Sequence, residues 1–335
     1  MKQGPLVVDV FRGETVESTH LVDAVVTDAD GKLVEYYGDC SRLTFPRSAI
    51  KMAQALALME SGAAEEFQLS QKWISLACAS HLGEKIHTEE VKKWLQKIDL
   101  DESAFECGAH YPYDEDTKFE MIRRGVKPTA LHNNCSGKHC GMLTTARHYH
   151  ESHKGYAQHD HPVQIRVRKI LSELAGINYD LAPWGVDGCG IPTYAIPLDK
   201  LSVTMSNFLS ESSLSKANSL RRQATVKILQ AVTAEPDMIS GTHGLCSRVS
   251  KVSQGRSFAK TGAEGVYVGL IPRKGIAFAI KVIDGATRAA ELATLHLLTK
   301  HGGLSEAELR ELDPLTTTNI NNWAGLLVGR SKIRC

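Results

Sequence analysis

Gly265-Val266-Tyr267-Val268-Gly269-Leu270-Ile271 and Ile276-Ala277-Phe278-Ala279-Ile280-Lys281-Val282-Ile283 are two apolar runs joined by Pro272-Arg273-Lys274-Gly275. Their length and the turn residues between them predict a β-hairpin near the end of the chain. Residues 286–300 after it read as a helix, stopped by Gly302-Gly303. The beginning of the chain reads the same way. Residues 6–10 and 20–27 are β-branched and partly alternating, Asp30-Gly31 is a turn, and residues 33–37 give a return strand. Between the two ends the text is helical, at residues 46–64, 71–81, 162–174 and 215–232, with a further helix capped by Thr88. Residues 101–130 lack periodicity and read as a long functional loop or a loop with short turns. Strands at both termini with helices between them predict an α+β fold. One antiparallel sheet is assembled from both ends and flanked by helices, with a mainly helical region inserted. The sheet portion is expected at about 1–45 and 255–335, and the helical portion at about 46–254.

Composition narrows the classes. A net charge of +1 provides no field to recruit nucleic acid or an anionic membrane. No segment approaches the length of an apolar membrane span, and Asp9 and Arg12 interrupt the only apolar run near the start. Eight cysteines are irregularly spaced and include no C-x-x-C. Without an export signal this argues against a disulfide framework, a zinc ribbon or a thioredoxin motif. The expectation is a cytoplasmic protein.

Ser48-Ala49-Ile50-Lys51 follows Pro46 at the start of the first helical stretch. At i and i+3 a hydroxyl and an amine share one face. A serine becomes a nucleophile when a neighbour takes its proton, and a lysine held neutral can do so. Alone the motif is weak. Lys260-Thr261-Gly262, just before the hairpin, strengthens it, because Ser-x-x-Lys and K-T-G occur together in serine β-lactamases and penicillin-binding proteins. The strand arrangement read above also resembles that fold. Two denser clusters remain. His132-Asn133-Asn134-Cys135-Ser136-Gly137-Lys138-His139-Cys140-Gly141 crowds thiols, imidazoles, amides and an amine before a helix starting near Ser136. Trp184-Gly185-Val186-Asp187-Gly188-Cys189-Gly190-Ile191-Pro192 fixes a tight path around Asp187 and Cys189. The bland readings of these two clusters are a polar turn and a plain turn.

With Pro46-Arg47-Ser48-Ala49-Ile50-Lys51, Cys78-Ala79-Ser80-His81, the two clusters above and Lys260-Thr261-Gly262-Ala263-Glu264-Gly265 in place, the chain resembles the cysteine-rich L-asparaginases of the rhizobial type over essentially its whole length. That resemblance implies a serine β-lactamase/glutaminase-like fold, a single catalytic unit over residues 1–335 and a homodimer. It implies hydrolysis of L-asparagine to L-aspartate and ammonia. It also implies two serine–lysine pairs, Ser48 with Lys51 and Ser80 with Lys260, and one zinc ion per chain held by Cys135, Lys138, Cys189 and water.

Elementary chemistry fills in part of this. Free lysine titrates near 10.4, too high for a base at neutral pH, and burial or a second cation lowers it. Which of Lys51 and Lys260 starts neutral stays open, with Ser80 relaying protons between them. Two thiolates suit zinc. Coordination chemistry favours His139 as the nitrogen ligand and the resemblance favours Lys138, which leaves His139 as a contact of the substrate or of the ligands. Charge complementarity offers Arg47 for the substrate carboxylate and Asp187 for its ammonium, although Arg47 has an equal claim to pair with an acidic neighbour. The alternatives are a glutaminase, one methylene away, a β-lactamase-like hydrolase, disfavoured by the lack of a Ser-Asp-Asn element, and a zinc-binding module without catalysis. The histidines at 148, 150, 153, 159 and 161 read as a solvated stretch rather than a second metal site.

Overall fold

A computed structural model describes residues 4–209, 218–312 and 319–334. Its centre is an eight-stranded sheet in which every pairing is antiparallel. The N-terminal part supplies β1 (Leu6–Arg12), β2 (Thr15–Asp28) and β3 (Leu33–Tyr37). The C-terminal part supplies β4 (Phe258–Thr261), β5 (Val266–Ile271), β6 (Ile276–Val282), β7 (Asn319–Asn321) and β8 (Leu327–Arg334). The order is β7-β8-β1-β2-β6-β5-β4, with β3 also paired to β2. The two ends of the chain interleave: Val25 on β2 sits opposite Ala279 on β6, and β8 lies beside β1.

The expected hairpin is β5–β6, turned by a short 3-10 segment and by Gly275 in the left-handed conformation. Every residue of β5 is buried, as in a strand covered on both faces. Helices Leu198–Leu209 and Thr287–Lys300 both pack on β5 and β6. Most of the remaining helices lie between β3 and β4 in sequence. They share one contiguous apolar core with the sheet.

Several local expectations are corrected. The stretch at 46–64 is a 3-10 turn, Arg47–Ile50, followed by the short helices Lys51–Gln54, Leu56–Glu60 and Ala63–Glu66. Left-handed backbone at Arg47 and Gly62 interrupts the winding. The helix expected to reach His81 ends at Ala77, which frees residues 78–81 to turn toward the cleft. Thr88 lies inside the helix Lys85–Lys97 rather than capping it. The 101–130 segment contains a helix, Glu115–Arg123, whose N-terminus Asp114 caps by accepting from the Thr117 N–H. The helix expected at 215–232 is seen from Asn218 to Ala234, and its expected start lies outside the described residues. The histidines of 148–161 do more than meet solvent. His148 pairs with Glu66, His159 stacks on Trp184 at 4.3 Å, and His161 caps the helix Pro162–Ala175.

Candidate active site

Three parts of the chain converge beside the edge strand β4: the turn of Ser48, the turn of Ser80, and β4 itself with Lys260. Their approach is close. A Cβ on Gly262 would lie 2.5 Å from the Pro46 carbonyl oxygen, so only glycine lets the end of β4 rest against the Ser48 turn. Its close neighbour is the protein's own backbone. Gly137 plays the same part on the other side, since a Cβ there would sit 2.4 Å from the Leu76 carbonyl oxygen. That contact sets the start of the helix Ser136–His148 against the end of the helix Gln71–Ala77.

Lys51 and Lys260 are wholly buried, and both reach Ser80. Lys51 Nζ donates to the Ala79 carbonyl and to Ser80 Oγ at 3.1 Å. Lys260 Nζ donates to Ser80 Oγ at 2.8 Å and to the Thr261 carbonyl at 3.0 Å. A hydroxyl between two amines accepts from one and donates to the other only when the second amine is neutral. The surroundings favour that state. Burial lowers Lys260 to about 7, and the nearby Lys51 charge adds to the fall. Burial likewise lowers Lys51. Lys51 thus faces Ser80, which sequence spacing alone does not pair with it. Ser48 lies above, half-buried, on the wall of a cleft of about 470 Å³.

The second half of the site is a sulfur-rich cradle. Cys135 stands just before the helix Ser136–His148, and Cys189 lies in the turn after Asp187. One donor atom each from Cys135, Asp187 and Cys189 falls within 4.8 Å of the others. Lys138 Nζ, also buried, donates to Cys189 Sγ at 3.0 Å. The hydrogen bond from the Cys135 thiol lowers Cys189 to about 6 against the effect of burial, with help from Lys138. The same bond, with burial, raises Cys135 to about 11. Burial disfavours the Lys138 ammonium, yet the two sulfurs and Asp187 hold its pKa above the ordinary value. Two thiolate-forming sulfurs, a carboxylate and a convertible amine form a donor set that fits zinc. Sequence reasoning did not read Asp187 as a donor. Its signal was the Asp187-x-Cys189 spacing on a tight turn.

Arg47 and Asp187 face the cleft and form an ion pair with each other. Burial opposes the Asp187 charge, but Lys138, a hydrogen bond from the Cys189 side chain and Arg47 bring the carboxyl down to about 2. Neither group is a free charge waiting for substrate. His139 is placed differently from its expected role as a substrate contact. It is fully buried, its Nδ1 is 2.6 Å from the Tyr156 hydroxyl, and it is not part of the cleft wall. Burial drives it down to about 3, so it is neutral. The cleft also takes in His110, Tyr113 and Asn134, none of which the sequence singled out individually. His110 Nε2 accepts from the Asn134 N–H at 3.0 Å, which ties the 101–130 segment to the site.

The sequence profile of the family described as L-asparaginase II matches residues 8–333. No match is found among curated proteins. Among solved structures, Mglu overlays with a TM-score of 0.46 at 12% identity, covering 90% of this chain and 69% of its own. A β-lactamase from Mycobacterium bovis overlays with a TM-score of 0.41 at 12% identity, covering 84% and 94%. A class C β-lactamase mutant gives 0.38 at 12% identity, covering 81% and 90%.

Proposed function

The chain belongs to the L-asparaginase II family, and from that premise we propose that it hydrolyses L-asparagine to L-aspartate and ammonia by double displacement on Ser48. The observation that carries this reading is the Ser80 hydroxyl bridging two buried lysines at the foot of the cleft that holds Ser48.

Ser48 Oγ attacks the side-chain amide carbon, and its proton passes to Lys51 as Lys51 gives one up through Ser80 to neutral Lys260. Ser80 carries protons between Lys51 and Lys260. The C–N bond breaks as the leaving nitrogen takes a proton and departs as ammonia, which leaves a β-aspartyl ester on Ser48. Water, deprotonated through the same pair, then cleaves the ester, and the proton returns to Ser48. The backbone N–H at the Ser48 turn is the candidate stabiliser of the oxyanion. Arg47 and Asp187 lie on one wall of the cleft, and a zwitterionic substrate would insert its two charges into their ion pair. Cys135, Cys189 and Lys138 would hold zinc, with Asp187 beside them, and a bound zinc would supply positive charge that orients polar groups of the substrate. The reading takes the chain as one catalytic unit, working as a cytoplasmic homodimer. No helix among the described residues is long and apolar enough to cross a membrane.

The test is ammonia release from L-asparagine by the wild type and Ser48→Ala, with L-glutamine as competitor because it differs by one methylene. Release by the wild type alone supports the assignment. Equal release by both removes Ser48 as nucleophile. No release by a folded, metal-loaded wild type removes asparagine as substrate.

A further inference from the structure

Ser80 works only if its hydroxyl stays between two amines, and the bonds of Ala79 and of the Ser80 N–H hold its backbone from one side only. The residue that ties this turn down is its neighbour. His81 is wholly buried. Its N–H donates to the Asn134 carbonyl at 3.1 Å. Its Nδ1 accepts from the Gly83 N–H at 3.1 Å, and its Nε2 lies 2.8 Å from Ser136 Oγ. These partners fix the tautomer. A nitrogen that accepts from an N–H carries no proton, so in the neutral ring the proton is on Nε2, which donates to Ser136. Ser136 passes its own proton to the Leu131 carbonyl at 3.1 Å. Every donor in the chain has an acceptor. On the other side the ring stacks on His87, with centroids 4.8 Å apart and planes 10° off parallel, and Ser80 itself donates its N–H to Ile239 at 2.9 Å.

We propose that His81 is a positioning residue for the reaction proposed above: through its Nε2–H on Ser136 it holds the Ser80 hydroxyl in register with Lys51 and Lys260. Ser136 opens the helix that follows Cys135 and carries Lys138. The bond therefore fastens the lysine-bridging turn directly to the start of the cradle helix. It spans 55 residues of sequence. Burial keeps the ring neutral, with a pKa well below the ordinary range, which suits a fixed donor and acceptor rather than a proton carrier.

The two arms of the ring can be separated by substitution. Asparagine places an acceptor near Nδ1 and keeps the Gly83 bond. Glutamine places a donor near Nε2 and keeps the Ser136 bond. The expected result for His81→Asn is a fall in kcat of about 10- to 100-fold with KM within about twofold, the cost of a small misplacement at reacting groups. His81→Gln recovers most of that loss. Ser136→Ala matches His81→Asn, and the double variant is no worse than either alone, because both remove one interaction. A His81→Asn enzyme with wild-type kcat, a His81→Gln enzyme as slow as His81→Asn, or losses that multiply in the double variant would each overturn the proposal. If His81→Asn does not fold, Ser136→Ala and His81→Gln carry the same comparison. If the wild type releases no ammonia from asparagine, the function reading fails separately. The rate at which a fluorophosphonate labels Ser48, read by mass spectrometry, then replaces kcat for the same set of variants.

Discussion

Lys260 and Lys138 are the same residue type and both are buried, and the protein pushes them in opposite directions. Lys260 meets a hydroxyl and lies near a second lysine, so removal from water lowers it to about 7. Lys138 meets a thiolate-forming cysteine and lies near a carboxylate, so its charge is kept. Burial alone does not make a base. It raises the stakes, and the neighbours decide the sign. One half of the site thereby stores a neutral amine ready to take a proton. The other stores a compact charge pair that two thiolates and a metal can replace once Lys138 gives its proton up.

The strongest blow to this contrast is chemical. Replacing Lys260 by methionine, which keeps the length and removes the amine, is expected to cut kcat by about 10²- to 10⁴-fold, the range of general acid–base catalysis. Steady-state ammonia release checks it, and a variant within a few-fold of wild type would remove Lys260 from the mechanism. Next comes the metal. Stripping zinc with a chelator is expected to raise KM by about tenfold while leaving measurable kcat at saturating substrate. A folded metal-free protein with no activity at any substrate concentration would place the metal in the bond-breaking steps instead.

Stability should separate the lysines by sign. Lys260 is lowered from an ordinary 10.5 to about 7. Between those values the unfolded chain binds a proton that the folded chain does not. The stability contribution of this group is therefore lowest below pH 7 and rises toward pH 10.5. Lys260→Met should then melt higher than the wild type at pH 6, with the gap closing as pH rises. Cys189→Ala, measured without metal, should melt lower, because it leaves the Lys138 ammonium buried without its partner, a loss of about 3 kcal/mol. Two shifts of the same sign would dissolve the comparison. The smallest expected effect is in the pH profile. If neutral Lys260 is required, kcat/KM rises through about pH 7 and levels off above it. A profile flat from pH 6 to 9 would point to Lys51 alone.

The sheet was legible where its residues are buried. β5 and β6 announce themselves because both faces are covered and the apolar runs are unbroken. β8 did not, because its buried positions are Gly329 and Ser331 and basic side chains interrupt it, so it has no apolar run to see. The helix Glu115–Arg123 was missed for the same reason: it buries only Met121 and is held by its cap. In the site, Ser48 and Lys51 were legible because i, i+3 spacing is a local property. The Ser80 bridge is a meeting of three distant segments that no spacing encodes, and only the resemblance placed it. The Arg47–Asp187 pair was half-legible. Charge suggested two separate contacts to a substrate, whereas proximity in the folded chain joins them to each other. The displacement of His139 from the cleft depends on which way one helix face turns, and Tyr156 decides that from outside the motif.

The contact of Gly262 with the Pro46 carbonyl also has a bearing on biosynthesis. The nucleophile turn is synthesised early and β4 late, and the two meet with no room for a methyl group between them. A ribosome-bound chain that has reached the Ser80 turn already carries Ser48 and Lys51, but it lacks the strand that brings Lys260. Pairing of β2 with β6 must likewise wait for the late segment. Hydrolytic competence therefore arrives as a final event of folding rather than growing with chain length, and unfinished or clipped chains are chemically silent.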